Sequence, residues 1–289
     1  MNCELKVALV LASGGAKGFA HIGAIEELER RGYTITSVAG TSMGALIGGI
    51  YAAGGLSRLK EWFFQLDNAK IWNLLDFQWS LNSLVKGEKL MDAMKEVVPD
   101  VNIQDLRIPF CAVATDLKTG SEVILDEGSL YDAMRASISL PLVFSQVENN
   151  GRLLVDGGLV NGLPLNRVKR HPGDLLVAVN LDNYEWHDPS QVNTEGRFAK
   201  LRSKLSSMSD NYFNLLDRSL TISMRQNVTL ALQQTPPDIY LNVDMGPYDS
   251  FDYDNAREIA QLGQEQMAAL LKDLPPAPSL QVGEYNCEL

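Results

Sequence analysis

The sequence predicts an α/β domain built around a parallel sheet, and the first 55 residues support this prediction. The run KVALVLASGG (6–15) is apolar and rich in β-branched residues, and it ends in glycines, as buried strands do. HIGAIEELERRG (21–32) follows with apolar residues at helical spacing and a terminal glycine. A second strand, TITSVAG (34–40), and a second helix, SMGALIGGIYAAGG (42–55), repeat this order. Alternating strands and helices form parallel sheets with right-handed crossovers.

The rest of the chain continues with strand and helix patterns. Further strands are predicted at PFCAVATD, SEVILD, RLLVDGG, LLVAVNL and DIYLNVD, and helices near 57–67, 87–97, 130–137, 210–232 and 254–272. No proline- or serine-rich linker interrupts residues 1–273, which we therefore expect to form one domain. Residues 274–289 contain a cluster of prolines and are expected to form a tail outside the core.

The charge balance limits the classes of partner that the protein is expected to bind. The formal net charge is -11 and the isoelectric point is about 4.8. This balance disfavours nucleic acid, because nucleic-acid-binding domains present a basic face. It also disfavours simple electrostatic adsorption to anionic lipid, although a local basic patch would be sufficient for that.

The cysteines and the hydropathy pattern favour a cytoplasmic, soluble protein. Cys3, Cys111 and Cys287 show no CxxC spacing, so neither a disulfide framework nor a structural zinc site is predicted. The first apolar run lacks the basic segment and the cleavage site of a signal peptide. No apolar stretch reaches the roughly 18 residues that a membrane-spanning helix needs. The sequence leaves the oligomeric state open.

One serine lies in a pattern that is typical of nucleophiles. Gly40-Thr41-Ser42-Met43-Gly44 has the form GxSxG and lies between a predicted strand and a predicted helix. Such a sharp turn exposes the serine hydroxyl at the helix N-terminus, where free N–H groups and the helix dipole favour developing negative charge. The alternative is a serine that only fills a turn, and the strand–helix context favours the nucleophile.

A serine nucleophile needs a base, and an aspartate is a better candidate than any histidine. His21, His171 and His187 are each expected to be surface or helix-capping residues. Asp156 ends the strand RLLVD and is followed by Gly157 and Gly158. Because the carboxyl ends of parallel strands gather at one edge of a sheet, this carboxylate is expected to face Ser42. An ordinary turn aspartate is the alternative.

The glycine loop SGGAKG (13–18) is open to three interpretations. A dinucleotide site requires glycine at the first position and an acidic residue after the second strand, and both are absent. The spacing also does not match a phosphate-binding P-loop. An oxyanion hole fits better, since backbone N–H groups at a helix N-terminus can bind a tetrahedral oxyanion. The donors would come from Gly14, Gly15 and Ala16.

Five segments together resemble the bacterial patatin-like phospholipases, in that family's order and over most of residues 6–165. They are SGGAKGFAHIGAI, GTSMGAL, VATDLKTG, RASISLPLVF and VDGGLVNGLP. The resemblance implies a three-layer αβα fold with a central, mainly parallel sheet. It also implies a serine–aspartate dyad that hydrolyses acyl esters of phospholipids, lysophospholipids or neutral lipids without a metal or another cofactor.

The resemblance assigns a role to each matching position. Ser42 would be the nucleophile and Asp156 the base, with a carboxyl pKa raised by burial in the cleft. The oxyanion hole would be lined by Gly14, Gly15, Ala16 and Lys17, and Lys17 is expected to pack or pair near the loop. The supporting glycines of the motifs are Gly18, Gly40, Gly44, Gly157 and Gly158.

The sequence departs from the family pattern at a few positions. Ser13 replaces the usual first glycine of the loop, Leu142 follows Pro141 where glycine is common, and Asp-Gly-Gly replaces Asp-Gly-Ala. Leu142 is expected to affect substrate preference more than chemistry. A noncatalytic regulatory or scaffold member of the fold is the second hypothesis, and a nucleotide-binding oxidoreductase is the third.

Two segments are candidates for peripheral contact with a membrane. Residues 61–84 hold three of the four tryptophans and are either a lipid-facing flap or, as we favour, a core helix pair with a loop. Residues 197–205 alternate basic and apolar side chains, as membrane-surface helices do, although a solvated helix face is the favoured interpretation.

Overall fold

The computed structural model describes residues 5–66, 70, 74, 87–141, 143–181 and 212–273. These residues build a mixed eight-stranded sheet with helices packed against it. The strands are β1 (Leu5–Leu11), β2 (Tyr33–Thr41), β3 (Phe110–Asp116), β4 (Glu122–Leu125), β5 (Val147–Asn149), β6 (Arg152–Asp156), β7 (Leu175–Asn180) and β8 (Ile239–Asn242). The helices in this part of the chain are α1 (Ala20–Arg30), α2 (Met43–Ala52), α3 (Leu56–Gln65), α4 (Glu88–Val97), α5 (Leu130–Ser137), α6 (Gly158–Asn161), α7 (Tyr212–Gln234) and α8 (Ala256–Asp273).

The sheet has a parallel half and an antiparallel half. Strands β3, β2, β1, β7 and β8 are adjacent in that order, and each pairs in parallel with its neighbour. Strands β4 and β6 pair antiparallel with β3, and β5 pairs antiparallel with β6. The predicted three-layer α/β class is therefore confirmed. The strand that ends in Asp156, β6, was expected to run parallel to its neighbours. This prediction is wrong, because β6 pairs antiparallel with β3.

The central strand β1 explains why the sequence reads as a continuous apolar run. Val7, Leu9 and Leu11 belong to a core that also includes side chains of α1, α2 and α8. Ala8 and Val10 belong to a second core, which includes Val228 of α7. Because β1 is covered on both faces from Val7 to Leu11, all five of these residues are apolar and none alternates with a polar side chain.

The predicted helices and strands are found close to their expected bounds. The helix expected at 130–137 is α5, and its start is fixed by the Ser129 hydroxyl, which accepts the Asp132 N–H at 3.1 Å. The sequence did not predict the short strand β5, the one-turn helix α6 or a 3-10 helix over Gly15–Phe19. None of the helices in the described ranges is long and apolar enough to cross a bilayer.

Candidate active site

The serine of the GxSxG pentapeptide lies in a strained turn between β2 and α2. Ser42 has φ 55° and ψ -123°, a conformation that non-glycine residues adopt rarely and at a cost of about 1–3 kcal/mol. Gly44 permits the turn, because a Cβ there would lie 2.3 Å from the carbonyl oxygen of Leu11. A Cβ on Gly40 would likewise lie 2.4 Å from the carbonyl oxygen of Gly44. The local sequence therefore positions one hydroxyl at the start of α2.

The Ser42 hydroxyl contacts the aspartate that the sequence singled out. Its Oγ donates a hydrogen bond to Oδ2 of Asp156 at 2.6 Å. Ser42 is 9% exposed and Asp156 is 1% exposed, so the pair lies in a largely water-free environment. A short hydrogen bond from a hydroxyl to a carboxylate is the geometry required for direct proton transfer.

The sheet topology brings these two residues together in a way that differs from the prediction. Both β2 and β6 lie along the same edge of β3, since β4 occupies the opposite edge at the shared residues. The two strands run toward each other and end at adjacent positions, Thr41 opposite Val113 and Asp156 opposite Ala114. Ser42 and Asp156 therefore come together where the carboxyl ends of β2 and β6, which run in opposite directions, meet beside β3. The prediction had placed them at the common carboxyl edge of parallel strands.

The Asp156 carboxyl is held in a single orientation. Its Oδ1 accepts the N–H of Gly158 at 2.7 Å, which leaves Oδ2 for Ser42. Its main chain is also fixed, because the Thr115 hydroxyl donates to the Asp156 carbonyl at 2.9 Å. Burial raises the pKa of this carboxyl to about 6, against the opposing effect of the hydrogen bonds from Ser42 and Gly158. Gly157 lies so close to β3 that a Cβ would be 2.2 Å from the Val113 carbonyl oxygen.

The glycine loop supplies fewer candidate oxyanion donors than the sequence predicted. The N–H of Ala16 donates to the carbonyl oxygen of Ser250 at 2.9 Å and is not available to a substrate, so its predicted role is corrected. Within the described ranges, the N–H groups of Gly14 and Gly15 donate to no acceptor. Lys17 lies inside the 3-10 helix that follows. Of the predicted donors, Gly14 and Gly15 therefore have N–H groups without an acceptor in the described part of the chain.

Close contacts join this loop to the serine turn and to the aspartate. A Cβ on Gly18 would lie 2.0 Å from Cγ of Met43, the residue after Ser42. A Cβ on Gly158 would lie 3.3 Å from the Ser13 hydroxyl and 3.0 Å from Oδ1 of Asp156. The loop, the serine turn and the carboxyl thus form one contiguous cluster, and Ser13 is a buried member of it.

The histidines do not contact the dyad in the described part of the chain, and one of them differs from its prediction. His21 is fully buried and is not a surface residue. Its Nε2 donates a hydrogen bond to the carbonyl oxygen of Ala12 at 2.9 Å. Burial lowers its pKa to about 4, so the ring is neutral at physiological pH. His171 lies at the surface, with Nδ1 3.2 Å from Oδ2 of Asp174. His187 lies outside the described residues.

A second serine, to which the sequence gives no role, contacts Ser42. The N–H of Ser42 donates to Oγ of Ser137 at 2.8 Å. Ser137 belongs to RASISLPLVF, which the sequence marks only by its resemblance to a family segment. The sequence also gives no signal for Tyr253, whose pKa is raised to about 12 by burial and then by the charges of Asp156 and Asp249. Neither residue lies in a glycine-rich pattern, which is the signal that identified the rest of the site.

Several predicted features lie outside the described residues. They are Leu142, most of the tryptophan-containing segment 61–84, the basic segment 197–205 and the tail 274–289. In the part that is described, Trp62 belongs to α3 and packs against the main core. No group of three metal-ligating side chains occurs among the described residues.

Comparisons with known proteins identify the family of the region that holds this site. The family model described as patatin-like phospholipase matches residues 9–168. An uncharacterized NTE family protein of Mycobacterium tuberculosis is 45% identical over 180 residues, which cover 62% of this chain and 50% of that protein. The chain therefore spans about half the length of this curated relative.

A more distant relative and a solved structure extend the similarity to nearly the whole chain. The lysophospholipase NTE1 of Candida glabrata is 26% identical over 276 residues, which cover 90% of this chain and 16% of the yeast protein. The crystal structure of VipD from Legionella pneumophila superposes with a TM-score of 0.52 at 18% identity, covering 93% of this chain and 67% of VipD. At this identity, the likeness to VipD concerns the fold.

Proposed function

We propose that this chain, which belongs to the patatin-like phospholipase family, is a serine hydrolase that cleaves acyl esters of phospholipids, lysophospholipids or related lipids. The observation that carries the proposal is the 2.6 Å hydrogen bond from Ser42 Oγ to Asp156 Oδ2. A buried carboxylate with a pKa of about 6 is suited to accept that proton near neutral pH.

The first half of the proposed reaction forms an acyl-enzyme. Asp156 accepts the hydroxyl proton while Ser42 Oγ attacks the ester carbonyl carbon. The N–H groups of Gly14 and Gly15 then bind the oxyanion of the tetrahedral intermediate. As the intermediate collapses, the carbon–oxygen bond to the alcohol breaks, and Asp156 returns its proton to that leaving oxygen.

The second half releases the fatty acid. Asp156 takes a proton from a water molecule, and the resulting nucleophile attacks the acyl carbon of the ester on Ser42. The same N–H groups bind the second oxyanion. When the bond to Ser42 Oγ breaks, the proton on Asp156 passes to the serine, and the free enzyme is restored.

The substrate class is supported by similarity to known proteins. The matching family is described as patatin-like phospholipase, and the Candida glabrata relative is named a lysophospholipase. The dinucleotide alternative has no support in the geometry. Gly14 packs against Leu181, and a Cβ on Gly14 would lie 2.6 Å from Leu181 Cδ1. The end of β2, where a dinucleotide site has an acidic residue that binds the ribose, instead leads into the serine turn.

A substrate panel tests the proposal. Wild-type protein, Ser42→Ala and Ser37→Ala are compared on p-nitrophenyl esters, lysophospholipids, phospholipids and triglycerides. Ser37 is a matched control, since it is a fully buried serine of β2 that lies five residues before Ser42 and bonds the Lys169 carbonyl. Wild type and Ser37→Ala are expected to release fatty acid, and Ser42→Ala is not. Folded wild-type protein that hydrolyses none of these esters would instead support the noncatalytic scaffold hypothesis.

A further inference from the structure

The hydroxyl of Ser137 bridges strand β3 and the main chain of the nucleophile. Its Oγ donates to the carbonyl oxygen of Val113 at 2.6 Å and accepts the N–H of Ser42 at 2.8 Å. A hydroxyl has one proton, so the bond to Val113 orients the oxygen lone pairs toward Ser42. Ser137 is the last residue of α5 and is 0% exposed, so bulk water does not compete for either hydrogen bond.

The Ser42 N–H depends on this contact because of the shape of the turn. With φ 55°, Ser42 lies outside the helical conformation of α2, and its N–H has no acceptor within that helix. A buried N–H without a partner is strongly unfavourable. If the Ser137 oxygen is removed, the turn can regain a partner only by rotating the Ser42 peptide, and this rotation moves the Oγ attached to it.

The same short segment also contacts the other member of the dyad. The carbonyl oxygen of Ser139 accepts the N–H of Asp156 at 3.0 Å. Arg135 donates to the Ser139 hydroxyl at 2.7 Å and so links this segment to the preceding turn of α5. Residues 137–139 therefore hold the main chains of both Ser42 and Asp156 at once.

We propose that Ser137 is a positioning residue, whose hydroxyl holds the Ser42 backbone in the orientation that directs Oγ at Asp156. The proposal rests on the proposed function of the dyad, and Ser137 itself does not touch the substrate. Its contribution is to the geometry of proton transfer and attack, so its loss slows the chemical step and leaves substrate binding unchanged. A displacement of about 1 Å at a reacting group lowers turnover about 100-fold.

The test compares Ser137→Ala and Ser137→Cys with wild type and with the Ser37→Ala control. The cysteine variant keeps a side chain of similar shape but replaces the oxygen by a weak sulfur acceptor. The cysteine variant provides the kinetic comparison if the alanine variant does not fold. For each protein, kcat and KM are measured on a soluble p-nitrophenyl ester, together with the rate of labelling by a fluorophosphonate and the thermal unfolding midpoint.

The expected result is a fall in kcat of about 10- to 100-fold for folded Ser137 variants, with KM within twofold of wild type and a matching fall in the labelling rate. Ser37→Ala is expected to keep wild-type kcat. The positioning role is overturned if a folded Ser137 variant keeps kcat within threefold, or if KM alone changes. Wild-type protein that neither hydrolyses the ester nor reacts with the probe overturns the proposed function itself, which separates the two failures.

Discussion

The N–H of Gly158 donates to one oxygen of the Asp156 carboxyl at 2.7 Å, so the other oxygen is reserved for the Ser42 hydroxyl. A carboxylate with both oxygens assigned has little freedom to rotate away from the serine. Burial raises its pKa to about 6, whereas the two hydrogen bonds lower it. The group is thus fixed in place and titrates close to neutral pH.

The first prediction concerns the pH dependence of activity. Asp156 accepts a proton only when it is ionised, so kcat/KM should rise with pH, reach half its maximum near pH 6 and level off above pH 7. Below that midpoint the rate should fall about tenfold per pH unit. The profile is measured on a soluble ester between pH 4.5 and 8.5. A midpoint near 4, or a flat profile, would show that this carboxyl is not the base.

The second prediction concerns stability. The pKa of Asp156 lies near 6 in the folded protein and near 3.8 in the unfolded chain, so the folded state binds the proton more tightly. Its contribution to stability is therefore present below pH 3.8 and is lost as the pH rises through 6. An asparagine side chain at this position would remain neutral throughout. Asp156→Asn should increase the free energy of unfolding by about 3 kcal/mol at pH 8 and by well under about 1 kcal/mol at pH 4.

Urea denaturation at the two pH values measures this difference. Ser42→Ala is the control, because it removes the partner hydroxyl and keeps the buried carboxyl. An Asp156→Asn variant that is less stable than wild type at pH 8 would contradict the account of a destabilised buried charge.

The third prediction concerns the oxyanion donors. Gly14→Ala places a Cβ 2.6 Å from Cδ1 and 3.2 Å from Cβ of the buried Leu181, so the loop or the Leu181 side chain must shift, and a shift of the loop displaces its N–H groups. Loss of one oxyanion donor lowers kcat by about 100- to 1,000-fold, and a fall of that order is expected. Adding Leu181→Val removes the clashing Cδ1 atom and should restore part of the activity. Steady-state kinetics of both variants, with Leu181→Val alone as control, check this. Wild-type kcat in Gly14→Ala would exclude the loop from the site.

The fourth prediction concerns His21. Its neutral ring donates to the Ala12 carbonyl and contacts neither Ser42 nor Asp156 among the described residues. His21→Gln keeps an amide donor and should retain kcat within a few-fold, with the same pH midpoint. His21→Phe leaves the carbonyl without its donor and should destabilise the fold by about 1–3 kcal/mol. Thermal unfolding and a pH–rate profile distinguish these outcomes. Loss of the ascending pH limb in folded His21→Gln would make the histidine the base.

The sequence predicts the turns and strand ends of this site better than it predicts the contacts between them. The glycines around Ser42 and after Asp156 identify a sharp turn and a strand end, because they form short local patterns. The backbone atoms that Gly44 and Gly157 approach belong to the distant strands β1 and β3, and the sequence does not show those contacts. The direction of β6 was predicted wrongly, since a strand shows the same pattern of apolar residues in either orientation. The contact between Ala16 and Ser250 joins distant parts of the chain, and no local pattern encodes it.

Buried polar residues were the least predictable part of the structure. His21 and Ser137 both bond to main-chain groups of other segments, and a main-chain partner leaves no signature in the sequence. The single domain expected over residues 1–273 and the membrane contacts suggested for 61–84 and 197–205 remain predictions.

Mapping of a covalent fluorophosphonate adduct by mass spectrometry, on wild-type protein and on Ser42→Ala and Asp156→Asn at pH 8, tests the proposed nucleophile and base most directly. The adduct should form on Ser42 in wild type, be absent from Ser42→Ala, and form about 100-fold more slowly or not at all in Asp156→Asn. An adduct on a different side chain, or equal labelling rates in wild type and Asp156→Asn, would contradict the serine–aspartate dyad.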